Sequence, residues 1–154
     1  MCKIAARPDN SPQSLLFGRK VFVVTDVVRS ASYIAATVAE LRQYSIADKA
    51  AGIVSQRALF PRRGRIELTD HGLVLTDWSD AGDLTLPREA ILSLRRAFTS
   101  LYGRFIGGLL DAGKPLIMQT TTVGEIYVLI DRREILEFTT NRRWEAAIAA
   151  WRQS

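Results

Sequence analysis

The sequence predicts an α+β, mainly β fold, in which a curved antiparallel sheet is covered by one C-terminal helix. Short segments of alternating apolar and polar residues follow one another from about residue 53 to residue 138, and this period of two is typical of half-buried strands. A short Gly-containing turn at 70–72 separates two of them, as in a β-hairpin. An amphipathic segment with two tryptophans then ends the chain at 138–154.

The segments after residue 53 are predicted to be strands because each is short, rich in alternating apolar residues and bounded by turn residues. Gly72 is predicted to supply a positive φ in the hairpin turn. Residues 125–131 are apolar on both faces, which indicates a central or well-covered strand. The predicted strands are 53–60, the two arms of the hairpin 64–78, and 83–87, 90–98, 115–121, 125–131 and 134–138.

The last helix is predicted to carry one apolar stripe. Trp144, Ile148 and Trp151 recur at helical spacing. Asn141 is predicted to be the N-cap, and Glu145 is predicted to lie in the first turn, where a carboxylate complements the helix dipole. Two indoles on one face would bury on the order of 300–500 Å², so this helix needs an apolar surface such as the open end of a curved sheet.

The N-terminal third is predicted to lie outside that sheet. A β-branched run, VFVV, predicts a strand within 15–28. Residues 30–45 are predicted to form a packing helix, because Ile34, Val38 and Leu41 recur at helical spacing. The predicted organisation is a flexible tail at 1–14, an N-terminal extension of a strand and a helix at 15–52, and the main domain at 53–154.

The charge and cysteine content narrow the classes of function. The net charge is +5 and the pI about 9.8, which fits either a solvated arginine-rich surface or an anionic partner. Cys2 is the one cysteine, so an intrachain disulfide and a cysteine-based zinc site are excluded. With no secretory h-region at the N-terminus, the sequence predicts a cytoplasmic protein.

No pattern of catalytic residues is recognisable in the chain. His71 is the one histidine, and it lies in a predicted turn without a nucleophile and an orienting partner beside it. Asp77, Asp80 and Asp83 do not have the alternate spacing of a calcium loop. The glycine-rich run GRFIGG at 103–108 lacks the phosphate-binding endings of nucleotide loops. The sequence therefore predicts a non-enzyme without metal or cofactor.

One stretch nevertheless stands out as a candidate ligand-binding site. Apolar side chains and glycines between 101 and 110 are flanked by arginines. One interpretation is a bent strand and turn in the core, and the other is a loop that holds an amphiphilic ligand or a partner. The residues assigned to this candidate site are Arg95, Arg96, Tyr102, Arg104 and Phe105.

Three further arginine pairs occur at 62–63, 132–133 and 142–143. Adjacent residues of a strand point to opposite faces, so a pair does not form a patch by itself. These pairs are predicted to be solvated at turns and element ends. If several of them converge in the fold, they form an anion site.

The order of about seven short strands followed by one amphipathic helix resembles the pleckstrin-homology-like (PH-like) fold. The similarity extends over about two thirds of the chain, 53–154, and includes VGEIYVLIDRREILEFTTN before the closing helix. RAFTSLYGRFIGGLLDAGKPLIMQTTTVGEIYVLID is similar to segments of small bacterial PH-like proteins of uncharacterised function. The resemblance implies a partly open antiparallel barrel of about seven strands capped by the C-terminal helix.

The resemblance also implies a function in binding. PH-like domains mostly recognise phosphoinositides, peptides or partner proteins, but the first hairpin turn, Asp70-His71-Gly72, lacks the basic pattern of the lipid-binding members. The leading hypothesis is a non-catalytic binding or scaffold module for a protein partner or an anionic amphiphilic ligand, with a membrane surface as another partner. The alternatives are a flavin-binding split-barrel oxidoreductase and a weak nucleic-acid binder. A homodimer is compatible with the extra segment at 15–45.

Overall fold

A computed structural model of this chain describes residues 27–44, 56–103, 113–132 and 139–154. The predicted tail at 1–14, the VFVV strand and the predicted strand at 134–138 lie outside these residues. The elements in chain order are β1 (Val27–Thr37), α1 (Val38–Arg42), α2 (Gln56–Leu59), β2 (Arg62–Thr69), β3 (Leu73–Ser79), β4 (Gly82–Leu86), a 3₁₀ helix (Arg88–Ala90), β5 (Ile91–Arg96), β6 (Leu116–Thr120), β7 (Gly124–Ile130) and α3 (Asn141–Gln153).

The described strands form one seven-stranded antiparallel sheet in the order β4-β3-β2-β1-β7-β6-β5. Its two edge strands, β4 and β5, are joined by residues 87–90, a connection that spans at most about 17 Å. Because the edges of a flat sheet with this many strands would lie about 29 Å apart, the sheet must curl into a half-barrel. The predicted fold class, a partly open antiparallel barrel with a C-terminal helix, is confirmed.

The central strand comes from the segment that the sequence assigns to a helix. Residues 30–37 belong to β1, which pairs with both β2 and β7, so the predicted helix at 30–45 is wrong there, and helix occurs only at Val38–Arg42. Ala31, Tyr33 and Ala35 point into the barrel, where they are buried. The apolar spacing that indicates a helix thus runs across a strand-to-helix boundary, at which Thr37 caps α1.

The strands after residue 62 lie where the alternation predicts them, including the hairpin β2–β3 and the two-sided strand β7. The strand predicted at 53–60 is wrong, because residues 56–59 form the short helix α2. The positive φ predicted for Gly72 is also wrong, since Gly72 is not among the described residues of positive φ. A Cβ on Gly72 would lie 3.1 Å from the Leu86 carbonyl oxygen, so this glycine permits a close approach to β4.

Helix α3 covers the concave side of the half-barrel, as predicted. Trp144, Ile148 and Trp151 are buried in the same apolar core as the inward side chains of the strands. Two details of the prediction are wrong. The N-cap is Thr140 rather than Asn141, and the first turn of the helix contains no acidic residue, because Glu145 lies beyond it.

The convex side of the sheet carries a second, smaller core. Tyr127 and Leu129 of β7 pack there with Ile117 of β6, and side chains from α1, α2 and residues 97–102 cover them. We call this set the outer apolar cluster. Strand β7 is therefore buried on both faces, which confirms the prediction of a central or well-covered strand in its second form.

Candidate anion-binding cleft

A cleft opens where the outer face of β1, the end of β7 and the start of α3 meet. Its volume is about 780 Å³. We call it the arginine cleft, and it is lined by Ser32, Asp131, Arg132, Thr139, Thr140, Arg142 and Arg143. All seven of these described lining residues have polar or charged side chains, and the charged ones are three arginines and one aspartate.

Asp131 joins the three elements that form the arginine cleft. It follows β7 with a φ of 49°, a left-handed conformation that Asp tolerates better than most residues. Asp131 Oδ1 accepts hydrogen bonds from the Ser32 backbone N–H and hydroxyl at 3.2 and 3.3 Å. Asp131 Oδ2 accepts one from the Thr140 hydroxyl at 3.1 Å. The carboxylate that the described residues bring to the cleft is therefore engaged in holding β1 and α3 together.

Asn141 fixes the first turn of α3 to the sheet. Its side chain is only 1% exposed. Oδ1 accepts a hydrogen bond from the Ile130 N–H at 2.8 Å, while Nδ2 donates to the carbonyl oxygens of Val128 and Lys114 at 3.0 and 2.9 Å. A buried backbone N–H needs such a partner. The backbones of Arg142 and Arg143, which follow directly, therefore start from a rigid anchor.

The three arginines of the cleft have no carboxylate partner among the residues that the structure describes. Arg142 and Arg143 are exposed and Arg132 is partly buried. Within the described ranges, none of them forms an ion pair with a carboxylate, and the buried Nε of Arg132 has no hydrogen-bond partner. Because like charges around one cleft repel each other, this arrangement favours an anion from outside the chain.

Arg29, near the start of β1, supports the rim of the cleft. Its Nη1 donates to the carbonyl oxygen of Arg143 at 3.2 Å, and its guanidinium lies over the Trp144 ring, 5.7 Å from the centroid. The same end of α3 presents the positive pole of the helix dipole. Both features add positive potential to the side of the cleft that the arginines line.

The two arginines predicted as ligand-binding residues on β5 point to opposite faces of the sheet. Arg95 is exposed on the convex side and pairs with Glu125 of β7, Nη2 to Oε2 at 3.2 Å. Arg96 lies on the concave side and pairs with Glu145 of α3, Nε to Oε2 at 2.7 Å. Each of them therefore links its strand to another element of the fold, and the structure does not bring the two together.

Tyr102 is 1% exposed and belongs to the outer apolar cluster. Its ring packs edge-on against Phe60, with centroids 5.1 Å apart. The Tyr102 N–H donates to the Thr99 hydroxyl, which contacts the Tyr127 hydroxyl. The Tyr127 hydroxyl also contacts Glu125, the ion-pair partner of Arg95. Tyr102 and Arg95 are therefore connected indirectly, through these three residues.

Burial is the main cause that raises the pKa of the Tyr127 hydroxyl above its ordinary value.

Arg104 and Phe105 lie outside the described residues. The binding role assigned to the five residues between 95 and 105 stays a prediction.

Neither a metal-binding cluster nor a membrane-spanning helix occurs among the described residues. No group of three or more His, Cys, Asp or Glu side chains converges in these ranges to hold a metal ion. Asp77 of β3 and Asp83 of β4 instead contact each other, because the Asp77 N–H donates to Asp83 Oδ1 at 2.9 Å. None of the described helices has both the length and the apolar character that crossing a membrane requires.

The sequence indicates part of the arginine cleft but not its assembly. The pairs at 132–133 and 142–143 are predicted to be solvated unless they converge, and one residue of the first pair joins both residues of the second at the cleft. Arg133 lies outside the described residues. Because residues 30–45 are predicted to be a helix, the sequence does not indicate that Ser32 lies beside Asp131. That contact depends on the pairing of β1 with β7.

Comparisons with known proteins leave the family of this chain open. No family model matches it, and no curated protein matches it. Among solved structures, the chain is similar to a crystal structure of the C-terminal domain of an unknown protein from Leishmania infantum. The identity is 10% and the TM-score 0.45, over 82% of this chain and 84% of that one.

Proposed function

We propose that this chain is a non-catalytic binding module that holds a phosphate-bearing ligand in the arginine cleft. The observation that carries the proposal is the convergence of Arg132, Arg142 and Arg143 on one cleft, with no carboxylate ion pair to any of them within the part of the chain that the structure describes. Guanidinium groups are planar forks of N–H donors that match the oxygens of phosphate.

The chemistry of the lining supports binding rather than catalysis. Arginine stays protonated in proteins, so it attracts and orients an anion without exchanging protons with it. The hydroxyls of Ser32 and Thr140 donate to Asp131, which leaves that carboxylate committed to the structure. Such a lining offers charge and hydrogen bonds but no free general base.

We also propose that the chain is related to PH-like domains and that it is cytoplasmic. The seven-stranded antiparallel half-barrel with a C-terminal helix on its concave side supports the first. The single cysteine of the chain supports the second. In that setting the phosphate groups of metabolites and of modified proteins are available as ligands.

The test is a calorimetric titration with inorganic phosphate, at one fixed ionic strength of about 0.15 M, of the wild type, Arg142→Gln and Arg143→Gln. A hydrogen bond to a charged group contributes about 1.5–3 kcal/mol, so each substitution is expected to weaken binding about 10-fold or more. Circular dichroism of each variant checks that the fold is intact.

The matched control is Arg95→Gln, which removes the same charge from an arginine of β5 whose carboxylate partner is Glu125 of β7. It is expected to change the affinity by less than about 2-fold, because screened charges at a distance contribute little. The proposal is wrong if wild type does not bind phosphate at all, or if Arg95→Gln weakens binding as much as Arg142→Gln does.

A further inference from the structure

The arginine cleft does not end at Ser32, because a polar strip continues from it along the outer face of β1. Ser30 and Ser32 are both exposed and lie on the same face of the strand. Their cross-strand neighbours on β2 are Glu67 and Arg65, respectively. Since a strand rises about 3.3 Å per residue, Ser30 lies roughly 7 Å from Ser32 along this face.

Arg65 brings a further positive charge to this strip. Its Nη2 donates to the Ser30 hydroxyl at 2.7 Å, which places the guanidinium beside the cleft on the outer side of the sheet. Its ion pair with Glu67 is long, Nε to Oε1 at 3.8 Å, and the Arg65 side chain is 61% exposed. Exposed ion pairs of this kind contribute little to stability, so Arg65 can exchange Glu67 for another anion at low cost.

We propose that the ligand of the arginine cleft is a chain of linked phosphates, with one phosphate in the cleft and another bound by Arg65. This inference rests on the proposed function, because it extends the same site. A single phosphate placed among Arg132, Arg142 and Arg143 leaves Arg65 unused, because its guanidinium is held at Ser30, two residues along β1 from Ser32. A linear oligophosphate has the length and the repeated charge to reach both positions.

The experiment compares inorganic phosphate with inorganic triphosphate on the full chain, at equal ionic strength and without divalent cations. Triphosphate is expected to bind the wild type about 10-fold more tightly or better, since a second charge-assisted contact is added. Arg65→Gln is expected to remove most of that advantage and to change the affinity for inorganic phosphate by less than about 2-fold.

Glu67→Gln provides a variant with the opposite expected sign. Releasing Arg65 from its partner strengthens triphosphate binding by about 2- to 3-fold and leaves inorganic phosphate unaffected. A damaged fold cannot produce such a gain. The matched controls are Arg95→Gln and Glu125→Gln, which change the same charges in an ion pair that lies two to four strands from β2 in the sheet order.

The outcomes separate this inference from the proposed function. If inorganic phosphate binds and triphosphate binds no more tightly, or if Arg95→Gln lowers triphosphate affinity as much as Arg65→Gln, the inference is overturned while the phosphate cleft stands. If neither anion binds, both are overturned. A parallel titration with ATP identifies the source of the ligand: affinity above that for triphosphate indicates a nucleotide, and equal affinity indicates a free phosphate chain.

Discussion

Arg96 contacts helix α3 and Arg143 belongs to it, but the fold uses the two side chains differently. Arg96 pairs with Glu145 across the core side of the sheet, whereas Arg143 is exposed on the helix and lines the cleft. The same contrast separates two sets of arginines. We call the arginines that pair with a carboxylate of another helix or strand, Arg62, Arg95 and Arg96, the paired arginines, and we call Arg132, Arg142 and Arg143 the cleft arginines.

The paired arginines join elements that are distant in sequence. Arg62, for example, reaches Glu40 of α1 from β2, Nη2 to Oε1 at 2.9 Å, and its guanidinium also lies over the Trp78 ring. The cleft arginines converge without such partners in the described part of the chain. The difference teaches that the net charge of +5 is not spread evenly. Within the described residues, carboxylates neutralise the arginines that join elements, and none pairs with the cleft arginines, where we propose that an anion binds.

The largest effect is expected at Asn141, which anchors the start of α3. This helix carries Arg142 and Arg143 of the cleft and also Glu145, the partner of Arg96. Asn141→Ala removes the hydrogen bonds that its side chain forms with the Ile130 N–H and with the carbonyl oxygens of Val128 and Lys114, the first two at buried positions. We expect the free energy of unfolding to fall by about 2–4 kcal/mol. Urea denaturation followed by circular dichroism measures it.

Gln153→Ala, at an exposed position near the end of the same helix, serves as the control and is expected to stay within about 0.5 kcal/mol of the wild type. An Asn141→Ala variant as stable as this control would show that the side chain does not anchor the helix.

The next effect concerns the paired arginines. Arg62→Gln removes the ion pair with Glu40, a hydrogen bond to the Trp78 carbonyl oxygen and the contact with the Trp78 ring. Both partners of the ion pair are about four-fifths buried, so we expect a loss of about 1–3 kcal/mol in the free energy of unfolding. Phosphate affinity should not change.

A double-mutant cycle with Glu40→Gln isolates the pair itself, and a coupling of about 1 kcal/mol is expected. A coupling near zero would remove the distinction between the paired and the cleft arginines as far as stability is concerned.

A third effect appears in alkaline solution, beside Arg62. Burial raises the pKa of Tyr33 to about 12 from 10.0, with Arg62 lowering it in part, and the Tyr33 hydroxyl donates to the Thr76 carbonyl oxygen at 2.8 Å. Because the folded chain holds this proton more tightly than the unfolded chain does, the stabilisation is complete below pH 10 and is lost as the pH rises towards 12.

We expect this tyrosine to lower the free energy of unfolding by about 1 kcal/mol between about pH 9 and pH 11. Tyr33→Phe should flatten the profile by that amount in denaturant titrations across this range. Identical slopes for the variant and the wild type would contradict the raised pKa.

The smallest effect is expected for the cleft arginines in the absence of ligand. Arg142→Gln breaks no ion pair among the described residues and relieves repulsion from Arg132 and Arg143. Its stability should stay within about 0.5 kcal/mol of the wild type. Any gain should be present at about 20 mM salt and vanish at about 500 mM, where charges are screened. A clear loss of stability would mean that Arg142 supports the fold as Arg62 does.

Sequence patterns predict most of the sheet but not its centre. The alternation of Ile66 and Leu68 and the two-sided strand β7 are local features, so they predict strands correctly. In β1 the inward residues are Ala31, Tyr33 and Ala35, and alanine carries little strand signal of its own. Pairing on both sides makes this segment a strand, because tertiary contacts override its local preference.

The candidate site shows the same division. Arg142 and Arg143 are recognisable as a basic pair, but the partners that define the cleft are remote. Ser32 and Asp131 stand 99 positions apart. No local spacing predicts that contact, since it depends on the register between β1 and β7.

By itself, the sequence determined the antiparallel character of the domain, its hairpin and the burial of Trp144 and Trp151 under a closing helix. These follow from apolar periodicity, which acts over a few neighbouring residues. Only the tertiary structure decided that residues 30–37 are the central strand and which arginines meet a carboxylate. Coulomb interactions depend on distance in space, and the curl of the sheet sets those distances.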